Sequence, residues 1–241
     1  MQIQILGSGG WMPTDARETT CIYVRDGDHV LLLDAGTGVR RLATEPQLLE
    51  GVRRITVALT HFHIDHLMGL PFLIDFDVER EIWGGGLALE GIPTVELVHR
   101  LFDPPIVGQS PGEVHELAPP GAAIGPFTLE ARIQPRHPNQ TLALRVNREL
   151  ALCTDTAYDE ENIAFVRGAR VLCHESFHAG DTTDDLGHTA SGDAGRLARA
   201  AGVERLVLTH VNPYLRDDEE LLRFARPVFP DVAVARDGMI L

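Results

Sequence analysis

Apolar residues recur along this chain in short bursts, each closed by glycine, proline or a charged turn, a rhythm that reads as strands more than long helices. Gln2 to Leu6 alternates polar and apolar positions and predicts a strand. A loop through Gly7-Ser8-Gly9-Gly10 and Pro13-Thr14 follows, then a second strand from Cys21 to Val24. Asp26-Gly27-Asp28 predicts a hairpin turn into a strand over His29 to Leu33, which stops at Asp34. Val39 to Leu49 predicts a short helix interrupted at Pro46, and Arg54 to Leu59 a fully apolar strand. Between Leu70 and Pro126 the pattern loosens around Gly84-Gly85-Gly86, Pro104-Pro105 and Pro119-Pro120, leaving Glu81 to Trp83 and a helix from Thr94 to Leu101 as its ordered pieces. Loops of that length shape pockets, and the part from Gly84 to Pro126 suits a lid or an interface.

Strands return at Thr128 to Gln134, Thr141 to Val146, Leu150 to Thr154 and Arg170 to Glu175, with Asn147-Arg148-Glu149 as a tight turn. A polar loop from Phe177 to Gly187 leads into a helix over Ser191 to Ala201, closed by Gly202. The strand Arg205 to Thr209 then ends in His210, and a short helix and a last strand complete the chain. No repeat, low-complexity run or linker divides residues 1–241, so one domain is expected.

Composition narrows the classes. A chain of 241 residues, 44% apolar, buries a full α/β or all-β core. The net charge of −14 offers no general attraction to phosphate backbones, which disfavours long nucleic acids and favours small ligands. Cys21, Cys153 and Cys173 are three in number, sit in or beside apolar runs and lack ligand spacing, which fits a reduced cytoplasmic setting. Cys153 lies two residues before Asp155, but its apolar strand reads as inert packing. No segment approaches the roughly 18 apolar residues of a membrane span, and the N-terminus lacks a signal-peptide pattern, so a soluble, unprocessed protein is expected.

The chemistry concentrates in Thr60-His61-Phe62-His63-Ile64-Asp65-His66, where three imidazoles and a carboxylate follow an apolar strand. These ligand types suit zinc first, with manganese and iron also compatible. One ion cannot easily use all four. His61 and His63 share a side of an extended chain, whereas Asp65 and His66 face elsewhere once a helix begins, so two neighbouring metals are expected. His137, Asp155 and His210 each follow or close a further apolar strand. Asp155 in Thr-Asp-Thr also suits a helix N-cap, and Asp34 a turn cap.

The series H-x-H-x-D-H, then His, Asp and His at strand ends, resembles the metallo-β-lactamase fold, a four-layered αβ/βα sandwich of metal-dependent hydrolases. The resemblance implies that His61, His63 and His137 hold one metal, Asp65, His66 and His210 a second, and Asp155 bridges both. It also implies that Asp34, in Leu-Leu-Leu-Asp-Ala-Gly-Thr-Gly, orients ligands from behind. Within the fold, Gly7-Ser8-Gly9 through Pro13-Thr14 and Arg17, His66-Leu67-Met68-Gly69-Leu70-Pro71, Ile82-Trp83-Gly84, Gly187-His188-Thr189-Ala190 and Leu208-Thr209-His210 resemble ribonuclease Z and related phosphodiesterases. The likeness spans nearly the whole chain. Two departures stand out: the short span from His137 to Asp155 reads as a hairpin where ribonuclease Z carries a basic tRNA-gripping arm, and Glu18 and Ile64 replace the usual Asn and Gly.

The resemblance implies a phosphodiesterase for a small or cyclic substrate such as a cyclic nucleotide, with Asp65 and His188 as catalytic residues and Glu175 placed to hydrogen-bond His188. Arg17 and Arg136 are candidates to touch phosphate. A tRNA 3′-end nuclease, a hydrolase of non-phosphate esters or lactones, and a binding protein without turnover remain alternatives. Homodimers are common among such relatives. His174 and His178 flank Glu175-Ser176-Phe177 without a third metal being expected, and His29, His99 and His115 read as exposed.

Overall fold

The computed structural model describes residues 1–183 and 187–241; of the expected polar loop from Phe177 to Gly187, 184–186 lie outside the described residues. The first sheet is built from β1 (Gln2–Gly7), β2 (Cys21–Asp26), β3 (His29–Leu33), β4 (Arg54–Ala58), β5 (Glu79–Gly84) and β6 (Glu113–Glu116), in that spatial order. The second holds β7 (Gly121–Ile124), β8 (Phe127–Gln134), β9 (Thr141–Val146), β10 (Leu150–Cys153), β11 (Val171–Glu175), β12 (Arg205–Thr209) and β13 (Val232–Val234), again in chain order across the sheet. Each sheet begins as an antiparallel meander and ends as parallel strands: β3 to β6 run parallel in the first and β10 to β13 in the second.

Parallel neighbours need crossovers, and these supply the helices. Between β3 and β4 the chain makes 3₁₀ turns at Thr37–Arg40 and Pro46–Leu48 around the single turn α1 (Arg41–Thr44), so the helix expected over Val39 to Leu49 is broken by Pro46, which cannot donate an internal hydrogen bond. After β4 come α2 (Ile64–Leu67) and a 3₁₀ segment at Leu70–Asp75; after β5 come α3 (Gly86–Leu89) and α4 (Thr94–Phe102). The second sheet is crossed by α5 (Glu161–Val166), α6 (Ser191–Ala201) and α7 (Asp218–Ala225). Gly202 ends α6 with φ 69°, a left-handed cap that a side chain would strain.

Three apolar clusters make the layers. Ile5, Leu31, Leu33, Phe127, Leu144, Leu152 and Val207 meet between the two sheets. Val30, Leu32, Ile55 and Val57 pack outward from the first sheet against Leu42, Val98 and Phe102. Leu172, Leu206 and Leu208 pack outward from the second against Leu197, Leu221 and Ala225. The architecture is a helix–sheet–sheet–helix sandwich, the metallo-β-lactamase fold. No described helix is long and apolar enough to cross a membrane.

Several sequence expectations change. The loose span from Gly84 to Pro126 contributes β6 and β7, an edge strand on each sheet, and none of it lines the small cavity described below. His29 is buried, not exposed: its Nε2 lies 2.8 Å from Thr56 Oγ1, and its ring meets Phe127 edge-on at 5.4 Å. Glu18 pairs with Arg40, so its charge is compensated. All three cysteines are free and buried.

Candidate metal centre

Strands β3, β4, β8, β10, β11 and β12 all end at one rim of the sandwich, and their ends and the segments that follow carry Asp34, His61 to His66, His137, Asp155, Glu175 and His210. Ligand sites in open α/β sheets lie outside such carboxyl ends. Asp34, Asp155 and His210 have φ of 60°, 48° and 51°, and Trp11 has φ 68°. Among described residues, four of the five non-glycine residues with positive φ thus gather here, Asn147 being the fifth. Asp and His tolerate that backbone; for an indole residue it costs roughly 1–3 kcal/mol, which the surroundings must offset.

Asp155 sits at the centre, and its two oxygens face different donors. Oδ1 lies 3.9 Å from His61 Nε2 and 3.9 Å from His137 Nε2. Oδ2 lies 3.1 Å from His66 Nε2 and 3.4 Å from His210 Nε2, the latter also 3.4 Å from Asp65 Oδ2. Donor atoms converge in four overlapping groups: His61, His66 and Asp155; His63, His137 and Asp155; Asp65, His66 and His210; and Asp155, His188 and His210.

Hydrogen bonds behind these rings decide which nitrogen is left free. Asp34 accepts from the Thr60 amide at 2.7 Å and from its hydroxyl at 2.9 Å, so that hydroxyl oxygen accepts a hydrogen bond from His61 Nδ1 at 3.0 Å. His66 Nδ1 donates to Asp34 Oδ2 at 2.8 Å, and His137 Nδ1 to the Asn139 carbonyl at 2.9 Å. Each bond leaves Nε2 as a lone pair toward the centre, and Nε2 of both His61 and His66 is buried with no hydrogen-bond partner. His63 is turned the other way: its Nε2 is held 3.3 Å from Asn139 Oδ1, freeing Nδ1.

The electrostatics ask for a cation. Burial opposes charge on His66, yet Asp34, Asp155 and Asp65 outweigh it and raise its pKa well above the usual imidazole range. Burial and the neighbouring His66 hold His61 well below that range. Burial pushes Asp65 and Asp155 up, but His66 and His210, with His61 beside Asp155, win and keep both far below ordinary carboxylates. Two buried carboxylates that draw positive charge onto the imidazoles around them fit divalent metal ions, which would take the place of those protons and use oxygen and nitrogen donors together.

A cavity of about 90 Å³ opens over the cluster, lined by Trp11, His63, Asp65, His137, Asp155, Phe177, His188 and His210. His188 Nδ1 donates to Glu175 Oε2 at 3.0 Å. Burial alone would depress His188, but the Glu175 hydrogen bond and charge raise its pKa above the ordinary value. Glu175 also accepts from the amides of Thr156 and Thr189, the latter at 3.2 Å, so it is fixed.

Arg17 is not at this cavity. Its guanidinium reaches Ser8 Oγ at 2.8 Å, the Ala235 carbonyl and Asp218 at 2.6 Å, and it lines a separate cleft with Arg216, Asp217 and Arg236. Arg136 is exposed beside His137, and it does not line the cavity either. His174 is buried, with Nδ1 2.8 Å from the Glu175 carbonyl. Sequence reasoning missed Trp11 and Phe177. Trp11 donates its amide to Asp65 Oδ2 at 2.8 Å, and Phe177 stacks on His188 at 4.6 Å. The available signal was an aromatic beside a glycine loop and another two residues after Glu175.

Comparisons agree with the fold. Ribonuclease Z of Methanothermobacter thermautotrophicus is 28% identical over 297 aligned positions, covering 99% of this chain and 95% of that protein. The probable metallo-hydrolase YhfI of Bacillus subtilis is 26% identical over 255 positions, covering 100% and 99%. The crystal structure of YhfI superposes with a TM-score of 0.82 at 24% identity over 100% of this chain and 98% of that one. A diphosphatase of the PhnP family gives 0.78 at 18% identity over 100% and 96%. Residues 29–211, well over half the chain, match the Beta-lactamase superfamily domain, and the protein belongs to that family.

Proposed function

We propose that this protein is a phosphodiesterase working with two divalent metal ions, zinc foremost with manganese or iron as substitutes, on a small or cyclic phosphodiester such as a cyclic nucleotide. The observation that carries the two-ion reading is the division of Asp155: Oδ1 faces His61 and His137, and Oδ2 faces His66 and His210. When bound, such ions supply hydroxide at neutral pH and neutralise the charge of the phosphoryl oxygens.

The chain's own groups do the rest. Asp34 fixes the ring of His66 and, through Thr60, that of His61. Asp65, tied through Oδ2 to the Trp11 amide, keeps its other oxygen to orient the attacking water. His188 holds a proton on the ring nitrogen that Glu175 does not engage and gives it to the leaving alkoxide.

Substrate size follows from what joins His137 to Asp155. That span is the plain hairpin of β9 and β10, with no arm, and the chain is nearly colinear with YhfI while its alignment to ribonuclease Z extends over many more positions. Among the described residues, no lysine or arginine lines the cavity. The ribonuclease Z names among the relatives favour a second reading, tRNA 3′-end cleavage.

Metal-replete protein assayed on bis(4-nitrophenyl) phosphate, a panel of cyclic nucleotides and a tRNA precursor separates these, with Asp65→Ala as control. Cleavage of small diesters, lost in the control, is the expected result. Preferred cleavage of the precursor would establish the second reading, and metal-replete protein that cleaves no phosphodiester would overturn both.

A further inference from the structure

We propose that Trp11 determines substrate choice by stacking on an aromatic substituent of a singly charged phosphodiester, a nucleobase or aryl group, outside the histidine-lined cavity. This rests on the phosphodiesterase reading above. At about 90 Å³ the cavity is far below the roughly 300–1,000 Å³ that encloses a whole small ligand, so it takes the phosphoryl group and leaves the rest of the ester at the mouth.

Trp11 stands at that mouth. It lines the cavity, yet 58% of it is exposed, an unusual place for an indole without a partner. Its backbone is held at three successive amides: Gly10 donates to the Val211 carbonyl at 3.0 Å, Trp11 to Asp65 Oδ2 at 2.8 Å, and Met12 to the Gly10 carbonyl at 2.8 Å. With φ 68° the position favours glycine, and strained positions of this kind cluster at ligand clamps. The backbone that carries the indole is therefore fixed relative to Asp65 before any substrate arrives, so stacking need order only the side chain. Met12, Ile64 and Met68, close to Trp11 and Asp65 in the sequence, are also exposed. With no lysine or arginine among the described residues of the lining, a second phosphate finds no partner there, which selects a substrate with one negative charge.

Two readouts test this on metal-replete protein. The chain has two tryptophans, and Trp83 is partly buried against His115 at 4.5 Å, so binding-dependent fluorescence reports Trp11 over a constant background. The uncleavable, singly charged methyl(4-nitrophenyl)phosphinate should quench it and bind about tenfold tighter than dimethylphosphinate. In Trp11→Gly, which accepts the left-handed backbone, that preference should disappear, while Trp11→Phe keeps most of it. The ratio of kcat/KM for bis(4-nitrophenyl) phosphate over methyl 4-nitrophenyl phosphate, esters with a common leaving group, should fall about tenfold in Trp11→Gly. Equal binding of the two phosphinates by the wild type, or an unchanged ratio in Trp11→Gly, would overturn the role of Trp11. Aromatic preference in binding with no diester cleaved would overturn the phosphodiesterase reading alone.

Discussion

Asp34 Oδ2 accepts a 2.8 Å hydrogen bond from His66 Nδ1 with both side chains sealed from solvent, so a residue at the end of β3 sets the tautomer of a ring presented by α2. The same carboxylate reaches His61 through the Thr60 hydroxyl, and one side chain thereby orients a donor on each side of Asp155. Asp34→Ala should weaken metal binding about 10- to 100-fold, measured by competition with a chromophoric chelator. Unchanged affinity would remove Asp34 from the site.

The pairing of Glu175 with His188 makes a different prediction, because neither side chain belongs to the two ligand sets of the proposed centre. Glu175→Gln should lower kcat about 10- to 100-fold with metal content intact, and His188→Ala about 10²- to 10⁴-fold. Loss of metal in Glu175→Gln would instead mark it as structural support for the centre.

Gly10 leaves no room for a side chain: a Cβ there would lie 2.4 Å from Cε1 and 2.5 Å from Nδ1 of His210. Gly10→Ala should push His210 aside and weaken binding on the Asp65, His66 and His210 side at least about tenfold, read by titrating the second equivalent of metal. Gly27→Ala, where nothing lies within 4 Å but φ is 62°, should cost only about 1 kcal/mol and leave metal binding alone.

How much of this was legible in the sequence depended on distance along the chain. The strand-end donors could be read because each follows an apolar run with period two or a fully buried strand, and a strand's end has one place to go, the rim. The change of direction after His63 was legible too, since α2 begins at Ile64. The edge strands β6 and β7 were not: Glu113 to Glu116 is polar throughout except Val114, and an edge strand needs only one partner. Helix α5 was hidden because its anchor is remote, Arg132 on β8 holding Asp159, Glu161 and Asn162. The arginine at Arg17 looked like a phosphate ligand since its real partner, Asp218, lies across the chain, and the amide contact of Trp11 with Asp65 leaves no trace in side-chain pattern.

His29 offers a pH test away from the metal centre. Burial first, then the Arg54 charge, hold its imidazole below the ordinary 6.5, against the weaker pull of Glu81 and Asp28. The folded chain keeps the ring neutral where the unfolded chain takes a proton, so this contribution is complete above the unfolded pKa and is lost as pH falls from about 6.5 toward the lower folded value. In denaturant titrations, the stability advantage of the wild type over His29→Gln should shrink between about pH 7 and pH 5. An advantage that is constant or grows on acidification would show that the ring is not held neutral.

The most direct test of the central claim, that Asp155 joins two metal positions, is the metal stoichiometry of Asp155→Ala beside the wild type, by elemental analysis and calorimetric titration of the folded proteins. The wild type should bind two divalent ions per chain, and Asp155→Ala should lose tight binding of both, since Oδ1 and Oδ2 face separate sets of imidazoles. Tight binding of one ion by the wild type, or of two by Asp155→Ala, would contradict it.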